Sequence, residues 1–311
     1  MTQTHNIILV PGFLGFDRLG GVEYFAGVAK HLEQAFAGRV SVREAKTLPF
    51  GSIEGRAGFL ARQVDELFPE GELHVVAHSM GGLDARRLVA EKGWGFQKRV
   101  RSVVAVGTPH QGSPVATGLN LLNLLRLADS LLSSPLLDML RDNFNAINDL
   151  SGPAAKTFNN TYPDVPGIKY LEIAGVGRAG DAPTSLLLRA VHEYVRSREG
   201  ANDGVVSESS ARRSGRECWS WQADHMDMIG HDLDRPTPGT RTTFPYLAKY
   251  EEIVRAILRE DAEDGEEEGV KADALEPSRT LKAHSVPAKP HSPATKRAPA
   301  ATKPHARPNK P

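Results

Sequence analysis

Ser79, Asp203 and His225 follow one another in the order serine, acid, histidine that suits acyl transfer on a strand–turn–helix scaffold. A serine hydroxyl is a weak nucleophile until a base takes its proton. The base in turn needs an acceptor that fixes its tautomer and stabilises the imidazolium. Ser79 ends the run Leu73-His74-Val75-Val76-Ala77-His78 and precedes Met80-Gly81-Gly82-Leu83. That pattern predicts a strand, a sharp turn presenting the serine, and a helix. Ala77 stands where the G-x-S-x-G pattern has its first glycine, and it is small enough for a crowded turn. Asp203 lies in the turn Asn202-Asp203-Gly204, and His225 follows the predicted last strand, 217–221, in Asp224-His225. Other residues compete for these roles. His78 adjoins Ser79, but neighbours at a strand end point to opposite faces. His231 is the second candidate base, and Asp181, Asp224 and Asp227 are alternative acids. The oxyanion needs two backbone donors: the N–H of Met80, directly after the nucleophile, and that of Phe13 in the loop Pro11-Gly12-Phe13. Leu14 in that loop and His110 after the strand beside the elbow are candidates to line a substrate pocket. No Gly-Lys-Ser/Thr follows the glycine loop at 12–15, which argues against a phosphate-binding loop there.

The elements that must position these residues alternate. Short apolar runs at 7–10, 40–45, 73–78, 100–106 and 168–175 predict strands buried in a parallel sheet. Helical periodicity falls between them, at 22–36, 54–68, 80–92 and 185–198, and a closing helix is expected over 245–260. This rhythm predicts an α/β fold with a mostly parallel central sheet flanked by helices. It breaks over 114–160, where leucines crowd two predicted helices, one from 119 to 132 and one beginning at 136. That is more apolar surface than a single core contact uses, so a helical lid or cap is expected there, able to touch a lipid surface transiently.

The chain has 311 residues, with 38 Lys and Arg against 38 Asp and Glu, so no global charge draws it to nucleic acid. Its one cysteine, Cys218, excludes an intrachain disulfide and a cysteine zinc site. The start of the chain carries no basic segment followed by a long apolar one, and no stretch of about 18 apolar residues occurs, so a cytoplasmic protein is expected. Residues 1–260 read as one domain. Residues 261–311, acidic and then rich in Lys, Pro and Ala, hold too few apolar residues to fold and read as a disordered tail, a solubilising segment or a contact for an unknown partner.

Several motifs in sequence order resemble one family. They are Val10-Pro11-Gly12-Phe13-Leu14-Gly15-Phe16-Asp17 with Gly21-Val22-Glu23-Tyr24-Phe25, then His78-Ser79-Met80-Gly81-Gly82, and then Gly107-Thr108-Pro109-His110-Gln111-Gly112-Ser113. Thr157-Phe158-Asn159 with Tyr162-Pro163, Asn202-Asp203-Gly204-Val205-Val206 and Asp224-His225-Met226-Asp227 complete the set. Across most of residues 5–235 the chain resembles the bacterial triacylglycerol lipases of the Pseudomonas and Burkholderia type, within the α/β-hydrolases. The resemblance implies Ser79, Asp203 and His225 as the triad, Phe13 and Met80 as oxyanion donors, and an acyl ester or lipid as substrate, with no cofactor needed for the chemistry. It also implies a structural calcium near the histidine. Asp227 matches one ligand and Asp181 is the expected second, whereas His231 replaces a usual glutamine and suits a hard cation poorly. The chain departs from the family at Pro11, where a histidine is usual. A thioesterase, phospholipase or acyltransferase would use the same triad, and a scaffold that kept the fold without catalysis is the reading from another class.

Overall fold

The computed structural model describes residues 4–13, 15, 18–19, 22–49, 51–116, 147–235, 237 and 239–258. Six strands form one parallel sheet: β1 (His5–Val10), β4 (Val40–Glu44), β5 (Leu73–His78), β6 (Val100–Val106), β7 (Lys169–Gly175) and β8 (Glu217–Trp221), ordered β4-β1-β5-β6-β7-β8. Successive side chains of a strand point to opposite faces. Ile7, Leu9, Val76, Val104 and Val106 pack on one face with α1 (Val28–Ala35) and the closing helix, α7 (246–258). Ile8, Val10, Val75, Ala77 and Val103 pack on the other with α2 (Ile53–Leu67) and α3 (Gly81–Ala90). Because both faces are covered, the central strands carry adjacent apolar residues, such as Ile7-Ile8-Leu9-Val10 and Val103-Val104-Ala105-Val106, instead of a strict alternation. Three further helices follow, α4 (Gly152–Thr161), α5 (Arg189–Glu199) and α6 (Glu208–Ala211).

The helix expected over 22–36 is shorter than its periodicity suggests. Val22–Glu23, β3, pairs antiparallel with Arg18–Leu19, β2, and α1 starts only after Gly27, whose φ of 74° lies in the left-handed region. A helix cannot run through that conformation, so Tyr24 and Phe25 are free to turn inward. The stretch 185–198 also divides, into a short turn at Leu186–Leu188 and then α5. Ser52 and Ser151 cap α2 and α4 by accepting from the N–H groups of Gly55 (3.2 Å) and Ala154 (3.4 Å). Cys218 is half-buried on β8, and burial raises its thiol pKa, which suits a structural and unreactive group. The leucine-rich segment at 117–146, Leu14 and the tail from 259 onward lie outside the described residues. Among the described residues no helix is long and apolar enough to cross a membrane.

Candidate active site

Ser79 sits where β5 turns into α3, with a φ of 55°. Among the described residues it is the one non-glycine with positive φ. Such a conformation costs roughly 1–3 kcal/mol and persists only where its surroundings hold it. Here the Ser79 N–H donates to the Val106 carbonyl (2.8 Å), and its own carbonyl accepts from the Thr108 hydroxyl (2.9 Å). Space around the turn is minimal. A Cβ on Gly81 would stand 2.6 Å from the Val10 carbonyl oxygen, and one on Gly82 would stand 2.1 Å from Thr108 Oγ1.

The structure brings the three predicted residues together. His225 Nε2 lies 3.0 Å from Ser79 Oγ, and His225 Nδ1 lies 2.7 Å from Asp203 Oδ2. Asp203 is fully buried, and its second oxygen accepts from the N–H groups of Val205 (2.9 Å) and Val206 (2.7 Å). The turn forms because Asn202 Oδ1 accepts from the Gly204 N–H (2.9 Å), folding the chain back toward Ser207. The His225 N–H donates to the Asp203 carbonyl (2.8 Å), so main chain and side chain together lock acid to base. Burial works to lower the His225 pKa, but the charge and hydrogen bond of Asp203 outweigh it, and the imidazole is held above its usual value.

His78 has a defined task away from the serine hydroxyl. Its Nδ1 lies 2.8 Å from the Tyr24 hydroxyl and its Nε2 lies 3.1 Å from the His225 carbonyl, with the two imidazoles 4.5 Å apart. Burial, reinforced by the His225 charge, pushes His78 well below its usual pKa, so it is neutral. Burial also keeps Tyr24 protonated. One assignment satisfies both groups: Tyr24 O–H donates to Nδ1, and Nε2–H donates to the His225 carbonyl. The Gly12 N–H donates to the same tyrosine oxygen (2.9 Å). A buried relay thus joins the Gly12-Phe13 loop to the His225 backbone. His231 is used elsewhere, its Nε2 reaching the Tyr24 carbonyl at 2.8 Å.

The Phe13 loop is also held from below. Arg56 of α2 is fully buried, donates to the carbonyls of Pro11 (2.8 Å) and Leu48 (2.6 Å), and pairs with Asp84 of α3 at 2.8 Å. Burial pushes Asp84 up to about 6 while Arg56 pulls it back. Phe13 packs against the apolar cluster of Met80, Leu83, Ile53 and Phe158. The Met80 N–H stands at the start of α3, where the helix dipole favours negative charge.

Two expected residues have other surroundings. His110 is fully buried, 3.4 Å from Arg86 Nη1 through its Nδ1, and its carbonyl accepts from Asn159 (2.8 Å). The acidic cluster beside His225 differs in composition. Asp181 is exposed, and the residue of that loop that meets Asp227 is Arg178. Arg178 Nε and Nη2 reach the two oxygens of Asp227 at 2.7 and 2.9 Å, Nη1 reaches Asp234 at 2.7 Å, and Nη2 lies 3.2 Å from Asp224. Calcium would require free carboxylate and carbonyl oxygens. Both oxygens of Asp227 are taken by a guanidinium, and among the described residues no group of three or more His, Cys, Asp or Glu could hold a metal. The residues present do not fit the calcium that the resemblance implies.

The PGAP1-like alpha/beta domain family matches residues 61–155. Triacylglycerol lipase 2 of Saccharomyces cerevisiae is 29% identical over 226 residues, covering 69% of this chain and 64% of the yeast protein. The triacylglycerol lipase of Pseudomonas fragi is 27% identical over 269 residues, covering 73% of this chain and 88% of that protein. In structure, a metagenomic carboxyl esterase superposes with a TM-score of 0.64 at 20% identity, over 84% of this chain and 77% of that one, which shows the shared fold. The chain has the fold of the α/β-hydrolases and is similar in sequence to triacylglycerol lipases. The chain spans just under two thirds of the yeast relative's length. Within this fold, the sheet order puts β5 centrally, with its carboxyl end bearing Ser79 between those of β1 and β6. Sequence reasoning missed Tyr24, Arg56 and Arg178. Arg56 had a visible signal, a charged residue among the apolar positions of a helix, whereas Arg178 had none.

Proposed function

We propose that the protein is a serine hydrolase of carboxylic esters, with a lipid-like acyl ester as substrate. The observation that carries this is the Ser79–His225–Asp203 chain at 3.0 and 2.7 Å, closing on a serine held at a φ of 55°. His225 Nε2 takes the Ser79 proton as Oγ bonds to the ester carbonyl carbon. The N–H groups of Met80 and Phe13 stabilise the resulting oxyanion. When the intermediate collapses, the C–O bond to the alcohol breaks and His225 returns the proton to the leaving oxygen. Water, deprotonated by His225, then attacks the acyl-enzyme; the bond to Ser79 Oγ breaks, His225 returns the proton to Oγ, and the acid is released. The lipase names of the relatives support an acyl-ester substrate.

Ser79→Ala should abolish turnover of p-nitrophenyl esters and labelling by a fluorophosphonate probe while keeping a native melting transition. Substantial turnover by that variant would overturn the mechanism. A chain-length series of the same esters then reads the acyl preference.

We further propose that Arg178 supplies, within the chain, the positive charge that fixes the His225 loop, so that stability is independent of calcium. This is supported by its fork on Asp227, whose Oδ2 also accepts from the Asp224 N–H (3.0 Å), one residue before His225.

A further inference from the structure

A second cluster, outside the triad, remains unused by this chemistry. A cavity of about 600 Å³ opens between α3, α4 and the loops that enter β7 and β8, lined among others by Arg86, Lys156, Asn159, Asp164, Arg213 and Arg216. Those two loops lie at the amino ends of their strands. Ser79 follows the carboxyl end of β5, and Gly175 at the carboxyl end of β7 packs against Asp203, with a Cβ there 2.6 Å from the Asp203 Cβ. Arg86 is also roughly 7–8 Å along the helix axis from Gly81, counting 1.5 Å per residue. Its lining includes none of Ser79, Asp203 and His225, so the cavity is distinct from the triad.

Its charge is unbalanced. Among the described residues, four cations (Arg86, Lys156, Arg213 and Arg216) meet two carboxylates, Asp164 on the wall and the fully buried Glu172 behind it. Asp164 alone is shared by three guanidiniums: Arg216 Nη2 at 2.6 Å, Arg86 Nε at 3.7 Å, and Arg213 Nη1. Arg213 also binds Glu172. Arg86 is 4% exposed, and its Nε has no hydrogen-bond partner, although Nη1 donates to Asn159 Oδ1 (2.7 Å) and Nη2 to the Tyr162 carbonyl (3.1 Å). Burial and the neighbouring Arg213 charge lower Arg86 to about 10, the direction expected where cations crowd without enough counter-charge.

The arginines are also held in place. Arg213 and Arg216 lie over the Tyr170 ring at 5.2 and 5.3 Å, and Arg86 lies over the Phe158 ring at 5.1 Å. Stacked, hydrogen-bonded guanidiniums lose little further freedom when they bind an oxyanion, and their fork matches phosphate geometry. Two unmatched positive charges complement a phosphomonoester, which carries about −1.5 to −2 charge at neutral pH and three strong acceptor oxygens. The amides of Gln111, Asn159 and Asn160 and the Ser214 side chain offer polar groups at the same wall.

We propose that this cavity is a binding site for a phosphate monoester group, carried either by a soluble metabolite-sized ligand or by a lipid headgroup. The test is titration calorimetry of the full chain with inorganic phosphate and with glycerol phosphate at constant ionic strength, alongside flotation with phosphatidylcholine vesicles with and without phosphatidic acid. Ser79→Ala should bind as the unaltered protein does, so failure of the ester-hydrolase reading leaves this outcome untouched. Lys156→Gln removes an exposed cation and should weaken binding about tenfold, the size of one charge-assisted hydrogen bond, while Lys156→Arg retains it. Arg216→Gln should act in the same direction as Lys156→Gln. Saturable binding of glycerol phosphate supports the site with a soluble ligand. Binding confined to vesicles carrying phosphatidic acid supports it with a headgroup. No saturable binding in either arm, or binding that both substitutions leave unchanged, overturns it.

Discussion

Arg178→Ala isolates the support behind His225. The Arg178 side chain is 22% exposed, while those of Asp224 and Asp227 are 0% and 1% exposed. Removing the guanidinium leaves two carboxylates buried side by side with their compensating charge gone. Breaking a buried pair in this way typically costs about 3–5 kcal/mol, and the partial exposure of Arg178 places the expected loss near the lower end, about 3 kcal/mol. For a domain of this size roughly 2–4 °C accompanies each kcal/mol, so the melting temperature should fall by about 6–12 °C. The loss has a pH signature. Burial and the Asp227 charge already raise the Asp224 pKa above its unfolded value. Such a group adds stability below its unfolded pKa and loses it as pH rises through the folded one. The variant should therefore be closest to the unaltered protein near pH 5 and furthest from it at pH 8. Arg178→Lys keeps the charge without the fork and should fall between. In calorimetric melts the unaltered protein should be indifferent to EDTA and to added calcium. A chelator-induced drop in its melting temperature, or an alanine variant within about 1 °C of it, would refute the reasoning.

Further outcomes follow from the site. Asp203→Asn should lower kcat by about 10⁴ and move the acid limb of the pH–rate profile to lower pH, because the Asp203 charge and hydrogen bond are what raise His225. Ser79→Gly should be more stable than Ser79→Ala by about 1 kcal/mol in denaturant titrations, since only glycine relieves the positive φ, and both should be inactive. Tyr24→Phe strands the Gly12 N–H and His78 Nδ1 in a buried place and should cost about 2 kcal/mol or more, with a fall in kcat and little change in KM. Gly81→Ala would set a Cβ 2.6 Å from a backbone oxygen that cannot swing aside, so it should lower both melting temperature and kcat.

The parallel sheet was legible because burial on both faces leaves strands such as 73–78 and 100–106 rich in adjacent apolar residues, Val75-Val76-Ala77 and Val103-Val104-Ala105-Val106. The order Ser79, Asp203, His225 was legible because each stands at a turn with its own local chemistry. The supports were not. Tyr24 lay within what read as one helical period, and only the left-handed Gly27 detaches it from α1. Arg178 meets Asp227 across 49 residues, and nothing local marks an arginine loop as the partner of an acidic one. His110, placed after a strand beside the elbow, read as a pocket residue. It is covered by Arg86 and Asn159, whose positions depend on packing between α3 and α4.

Those supports share a physical logic. A serine at positive φ relaxes unless its neighbours are rigid, and an acyl-transfer site tolerates little displacement. Apolar packing resists compression but directs weakly. Hydrogen-bonded buried charges direct strongly, because any departure from geometry leaves a polar group unsatisfied. Buried polar and charged groups from outside the triad tether both the oxyanion loop and the His225 loop. Arg56 with Asp84 binds the Pro11 carbonyl under the oxyanion loop. Tyr24 with His78 ties that loop to the His225 backbone. Arg178 pins Asp227, and through it the Asp224 N–H, beside the ring that must move a proton. Loosening one tether should therefore lower turnover more than affinity, because it disturbs the alignment needed for proton transfer and leaves the walls that hold the acyl group in place.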